Sequence, residues 1–223
     1  HKHLWDRAFF GGSLLAGWSQ GFMLGGLVTG FQSDIWSQLF SAMIGLCLVA
    51  AYCLLGAGWL IMKTEGALQL KAVRWARGSL SLTALGIGAI SIVTPLVSTR
   101  IFDKWFSFPN LVTLLPIPLM TLVLFVLIAR SLHRLPTRLA QNNQYGIAVP
   151  FAGTIGVMLL AFYGLAYSLF PWLVIDRITI WQSASAPEAL MVIFYGVALV
   201  LPVIIGYTVF AYRVFWGKST ALV

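Results

Sequence analysis

The chain has 223 residues, of which 60% are hydrophobic and 9% charged, with a net charge of +8 and a mean hydropathy of +0.91. A water-soluble domain carries about 25% charged residues. A composition this poor in charge cannot clothe a globular surface, so a soluble fold is excluded.

Six stretches contain no Asp, Glu, Lys, Arg or His: residues 9–31, 39–62, 79–99, 111–129, 147–170 and 189–212. Each is near or above the ~20 residues that carry a helix across a ~30 Å hydrocarbon core. None alternates with period two, which argues against a β-barrel. Backbone amides in lipid must be satisfied within their own segment, and that leaves helices. The expected fold class is therefore all-α: a polytopic membrane helix bundle with six transmembrane helices, forming a single membrane domain over residues 1–223.

In chain order, the opening stub His1–Arg7 places Trp5 and Asp6 at the entry to the first span. Asp6 suits either a helix N-terminus, which favours an acid, or a proton path or subunit contact. The first span carries Gly17, Gly21 and Gly25 four residues apart, with Gly26 and Gly30 repeating the spacing alongside. Such a stripe lets another helix approach closely, and packing within the chain is the preferred reading over a site for a partner, lipid or quinone. Cys47 and Cys53 lie in the second span on no metal-like spacing and are read as packing thiols.

The loop over residues 63–77 holds one acid, Glu65, among Lys63, Lys71, Arg74 and Arg77. Glu65 reads as a loop carboxylate balancing those cations, or as a proton relay or subunit contact. Arg74 reads as a topology anchor or as a ligand for a lipid phosphate or a partner carboxylate. Pro95, Pro116 with Pro118, and Pro202 sit in or near the third, fourth and sixth spans, where a proline bends a helix. Pro202 is deepest and is expected to kink the last span for packing. Pro150 falls in the first turn of the fifth span, where its missing N–H costs little. The segment between the fifth and sixth spans contains Thr179-Ile180-Trp181-Gln182. Trp181 is either an interfacial anchor or a contact with another subunit.

Charge sets the expected topology. The stub, residues 63–77, residues 130–144 and the tail from Arg213 hold eleven of the fourteen basic residues. The alternate connections hold Arg100, Lys104 and Arg177 against Asp34, Asp103, Asp176 and Glu188. By the positive-inside rule both ends of this chain are expected in the cytoplasm. Orientation and anionic lipid account for the basic excess, and no nucleic-acid-reading motif is present.

The chemistry expected of a catalyst is missing from the sequence. An ionisable group inside a span is a default functional candidate, and the six stretches have none. The histidines are His1, His3 and His133, all in connections, and the span methionines read as gap fillers. No catalytic residue and no metal site is assigned.

Three blocks carry a resemblance. The first is Leu4-Trp5-Asp6-Arg7 with Gly11-Gly12-Ser13-Leu14-Leu15 and Gln20-Gly21. The second is Leu55-Gly56-Ala57-Gly58-Trp59-Leu60-Ile61-Met62-Lys63-Thr64-Glu65-Gly66 with Leu68-Gln69. The third runs from Ser168-Leu169-Phe170-Pro171 through Thr179-Ile180-Trp181, Ser185-Ala186-Pro187-Glu188 and Leu201-Pro202-Val203-Ile204 to Tyr212-Arg213-Val214-Phe215-Trp216-Gly217-Lys218. Together they resemble subunit II of the cytochrome bd-type quinol oxidases, including the cyanide-insensitive branch. The resemblance implies a bacterial cytoplasmic (inner) membrane complex that oxidises quinol and reduces O2 to water with cytoplasmic protons. It implies haems b and d in a partner, subunit I, and for this chain a haem-free scaffolding role. Some members hold a structural quinone here or contribute to a proton path. The family has further helices ahead of the Trp-Asp block, so the chain is expected to be N-terminally incomplete. It commonly has Asp where this chain has Gln182, which removes an acidic role there. The alternative is a stand-alone membrane scaffold or a secondary transporter, whose marks would be a midplane charge or an inverted repeat of broken helices.

Overall fold

A computed structural model describes residues 2–108, 110–175, 177–215 and 217. His1, Asp176, Trp216 and Lys218, which entered the charge balance or the family blocks, lie outside the described residues. The elements are α1 (Lys2–Thr29), α2 (Ile35–Lys63), α3 (Gly66–Val97), α4 (Thr99–Phe106), α5 (Asn110–Leu114), α6 (Pro116–Ala140), α7 (Val149–Leu169), β1 (Trp172–Val174), β2 (Ile178–Thr179) and α8 (Pro187–Val214). Among the described residues the chain is all-α apart from the small β1–β2 hairpin, in which Trp172 pairs with Thr179.

Five helical segments among the described residues are long and apolar enough to cross a membrane: residues 35–63, 66–97, 110–140, 149–169 and 187–214. The segment over residues 110–140 comprises α5 and α6. The first of the six expected spans forms α1, which is 28 residues long and so reaches about 42 Å at 1.5 Å per residue. It is less apolar than the other five. Six glycines and the run Trp18-Ser19-Gln20 dilute it, and Lys2, Asp6 and Arg7 stand in its opening turns.

The largest shifts in the expected boundaries are at the charged ends of α1, α3 and α6, where the helix continues past the charge-free stretch, while α7 keeps within its own. Residues 66–77, expected as a loop, are the first turns of α3. Residues 130–140, also expected as a loop, close α6. A stretch free of charge marks only hydrocarbon depth, while the helix runs on through the headgroups, where Lys and Arg side chains reach water.

The connection between α2 and α3 is thus two residues, Thr64 and Glu65. Gly66 follows at φ +64°, a conformation that glycine adopts at no steric cost. The Thr64 N–H and hydroxyl both donate to the Leu60 carbonyl, at 2.9 and 2.7 Å. Buried Gln69 donates from Nε2 to the Ile61 carbonyl at 2.8 Å, tying the first turn of α3 to the last of α2.

The core lies among α2, α3, α6 and α7, towards the end that carries this turn. Leu54, Ile61, Val73, Ile128, Leu132 and Val157 pack there with small Ala57, Ala72 and Ala76 between them. Alanines let the helices close up, and the branched residues interdigitate across the gap. Gly153 continues the close approach, since a Cβ there would meet Ile128 at 2.7 Å.

Outside this bundle α1 lies against α2. A Cβ on Gly21 would come within 2.6 Å of the Gly45 Cα, and one on Gly25 within 2.5 Å of the Ser41 Cα. Gly17 faces Val49 and Tyr52 at 3.4 Å. Trp18 fills the notch left by Gly45 and donates from Nε1 to the Ala42 carbonyl at 3.2 Å. The glycine stripe is therefore an intrachain helix seam. Helix α8 contains Pro202 and buries none of its residues in this chain. Its end approaches α2 through Tyr212, whose ring meets Trp59 edge-on at 5.5 Å.

Candidate functional site

The residues singled out in the sequence fall at two ends of the bundle. At the end carrying the α2–α3 turn, Trp5 and Asp6 lie in the opening turns of α1 and are exposed, Trp5 to 75%. Asp6 is not the helix cap: α1 begins at Lys2, so Asp6 stands more than a turn inside it, where its own N–H is already paired. Glu65 occupies the N-cap position of α3 without a side-chain capping bond. Arg74 projects from the exposed side of the same helix. Trp5 and Asp6 thus share α1, and Glu65 and Arg74 share α3, each exposed.

Other basic residues at this end act inside the chain, which charge counting did not reveal. Lys63 donates from Nζ to the carbonyls of Phe215 and Gly217, both at 2.9 Å, and lies 5.0 Å over the Trp59 ring. This brings the C-terminal end of α8 to the C-terminal end of α2. Arg138 donates to the Tyr145 carbonyl at 3.1 Å and sits over that ring at 5.3 Å. Arg77 donates from Nε and Nη2 to the Leu132 carbonyl, at 3.2 and 2.7 Å, and from Nη2 to the His133 carbonyl at 3.3 Å.

The Arg77 contact has a cause in the sequence of α6. Pro136 lies four residues after Leu132 and has no N–H, so the Leu132 carbonyl loses its helical donor. Leu132 is fully buried. A buried carbonyl without a donor costs about 1–3 kcal/mol. The guanidinium fork of Arg77 supplies the missing donor from α3 and pins α3 to α6 at the proline.

At the opposite end a second cluster forms around α4. Lys104 reaches the last turn of α7 and donates from Nζ to the carbonyls of Tyr167 and Phe170, at 2.6 and 2.9 Å. These are orphan carbonyls of a helix C-terminus, where a cation is favoured. Burial among the neighbouring rings pushes the Lys104 ammonium below its ordinary pKa. Trp105 donates to the Ser168 hydroxyl at 3.0 Å, and Arg100 lies 4.9 Å over the Trp172 ring. The signal that would have found this clamp is Thr99–Phe106 itself, a short amphipathic segment with Ile101 turned inward.

The turn that follows the β1–β2 hairpin holds Trp181 and Gln182. Trp181 meets the Phe170 ring edge-on at 5.8 Å and stays 65% exposed. Gln182 closes a turn on Thr179: its Oε1 accepts from the Thr179 N–H at 2.9 Å, and its own N–H donates to the Thr179 hydroxyl at 3.3 Å. An Asp carboxylate at this position offers the same kind of acceptor, so the amide keeps the acceptor role without the charge.

The family model described as Cytochrome bd terminal oxidase subunit II matches residues 1–215. The chain belongs to the cytochrome bd terminal oxidase subunit II family. It is a multi-pass membrane protein and a subunit of a terminal oxidase complex of electron transport. No curated protein matches the chain significantly.

Cytochrome bd chemistry implies haem, which is held by one or two axial His, Met, Cys or Tyr side chains. Among the described residues no group of three or more His, Cys, Asp or Glu side chains converges. His3 and His133 are exposed at the ends of α1 and α6, away from the apolar core. Cys47 packs under Gly86, at the contact between α2 and α3.

Proposed function

We propose that this chain is the haem-free subunit II of a quinol:oxygen oxidoreductase in the bacterial cytoplasmic membrane. In this reading it scaffolds a haem-bearing subunit I that holds haems b and d, and it meets quinol and lipid only as part of that complex. The family match over residues 1–215 carries the reading.

In the same reading α1 is the sixth span, and both ends of the chain face the cytoplasm. The contact of Lys63 with Phe215 and Gly217 supports this, because it puts the end of α8 beside the basic α2–α3 turn. Asp6, Glu65 and Arg74 then face the compartment that supplies protons for water formation. They are candidates for a proton path or for contacts with subunit I. Trp5, Trp181 and Gln182 are candidates for contacts with that subunit, and a structural quinone is a candidate ligand.

The test is mild-detergent purification of the tagged chain from its native membrane. A co-purifying polypeptide with b- and d-type haem bands and quinol-dependent O2 uptake is the expected result. A colourless preparation with no partner and no O2 uptake overturns the proposal.

A further inference from the structure

Several basic residues at the α2–α3 end are engaged within the chain: Arg77 on α6, Arg138 on Tyr145, and Lys63 on the α8 end. Arg130 and Arg134 are placed differently. They lie one turn apart on α6, both exposed, and with Ala129 and His133 they line a shallow depression of about 420 Å3. Helix α6 contains no acidic residue to neutralise them.

Below the depression the same face of α6 is apolar. Leu119, Leu122, Val123 and Val126 recur at helical spacing, all exposed, and Arg130 and His133 continue the stripe. From Leu119 to Arg130 the helix rises about 16 Å at 1.5 Å per residue. That is about half of the ~30 Å hydrocarbon core, or one leaflet. The surface is apolar over one leaflet's depth and then cationic within a single turn. A soluble anion needs no apolar stripe beneath its site. An amphiphile with an anionic head and acyl chains matches both parts. Two guanidinium groups one turn apart present forked donors suited to phosphate oxygens.

We infer that Arg130, Arg134 and His133 form a site for the phosphate of an anionic phospholipid, whose acyl chains lie along the Leu119–Val126 face of α6. The inference needs α6 to cross the membrane and does not depend on oxidase activity.

The test uses the intact complex, delipidated and reconstituted into nanodiscs of phosphatidylcholine with a minor fraction of phosphatidylglycerol. The complex is re-extracted, and the retained phospholipid is counted by mass spectrometry. Wild type retains phosphatidylglycerol above its share of the bilayer. The double variant Arg130→Gln/Arg134→Gln retains it about thirtyfold more weakly, as expected for the loss of two charges at headgroup depth. Arg130→Lys/Arg134→Lys keeps most of the retention, and Arg177→Gln, at the other end of the bundle, keeps all of it. Co-elution of all chains shows that each variant is assembled. Equal retention by wild type and the double Gln variant overturns the inference. Displacement of the lipid by inorganic phosphate also overturns it and marks a plain anion site. Loss of a co-purifying polypeptide in place of the lipid overturns it as well and marks a protein contact.

Discussion

Replacing Arg77 by Met isolates the brace at the α6 proline. Methionine keeps much of the apolar stem and removes the three donations to Leu132 and His133. The His133 carbonyl still has its helical donor, the Thr137 N–H, within α6. The Leu132 carbonyl does not, because residue 136 is proline. A buried carbonyl left without a donor costs about 1–3 kcal/mol, so Arg77→Met is expected to destabilise the chain by about 2 kcal/mol. The same substitution in a Pro136→Ala background has a different outcome. The introduced alanine restores an N–H aimed at Leu132, and losing Arg77 there is expected to cost under about 1 kcal/mol. The coupling energy of the cycle is then about 1–2 kcal/mol. Unfolding of the four proteins in mixed micelles, followed by tryptophan fluorescence, measures it. Costs that add to within about 0.5 kcal/mol refute the claim that Arg77 serves the carbonyl freed by Pro136.

Two further outcomes test the seams. Gly21→Val presses a side chain onto the Gly45 backbone, which has no flexible end to yield, and is expected to cost about 1–3 kcal/mol in thermal unfolding. Gly88→Ala meets nothing within 4 Å and is expected to leave the transition unmoved or slightly raised. At the other end, Lys104→Gln removes the cation from the α7 C-terminus and is expected to cost about 1 kcal/mol. Its pH dependence has a defined sign. Burial holds the folded pKa of Lys104 below 10.5. Between that depressed value and 10.5 the unfolded chain binds more protons, so wild-type stability rises with pH across the window. In Lys104→Gln that contribution is absent, and stability titrations of the two proteins differ there.

Five of the spans were legible because hydrocarbon depth writes itself as charge-free length: the stretches 39–62 and 189–212, for example, fall within the apolar helices over residues 35–63 and 187–214. The glycine seam was legible as spacing, though the spacing did not name its partner. Only the structure shows Gly21 meeting Gly45, a glycine that belongs to no such repeat. The helix ends were not legible. The cue for a loop was charge, and charge also decorates helices that emerge from lipid, as Arg74 and Arg130 do. For the same reason Asp6 looked like a cap and is instead a helical surface residue.

Charge counting treats every arginine alike, and here it hides a division of labour. Arg77, Arg74, Arg130 and Arg134 contribute equally to the topology signal. Only Arg77 stands where a neighbouring helix has lost a donor, and that donor is missing because of a residue 59 positions later in the chain. Sequence proximity cannot reveal such a pairing, whereas the chemistry requires it once α3 and α6 are adjacent. A proline near the end of α6 and an arginine near the start of α3 therefore have to be read together. Replacing Arg77 alone leaves a defect, and replacing both by ordinary helix formers restores a plain helix contact. Lysine is expected to substitute only in part: its ammonium is a point donor on a flexible stem, without the planar fork that gives Arg77 two donations to the Leu132 carbonyl. The expected order of stability at this position is thus Arg, then Lys, then Met, and in the Pro136→Ala background the three converge.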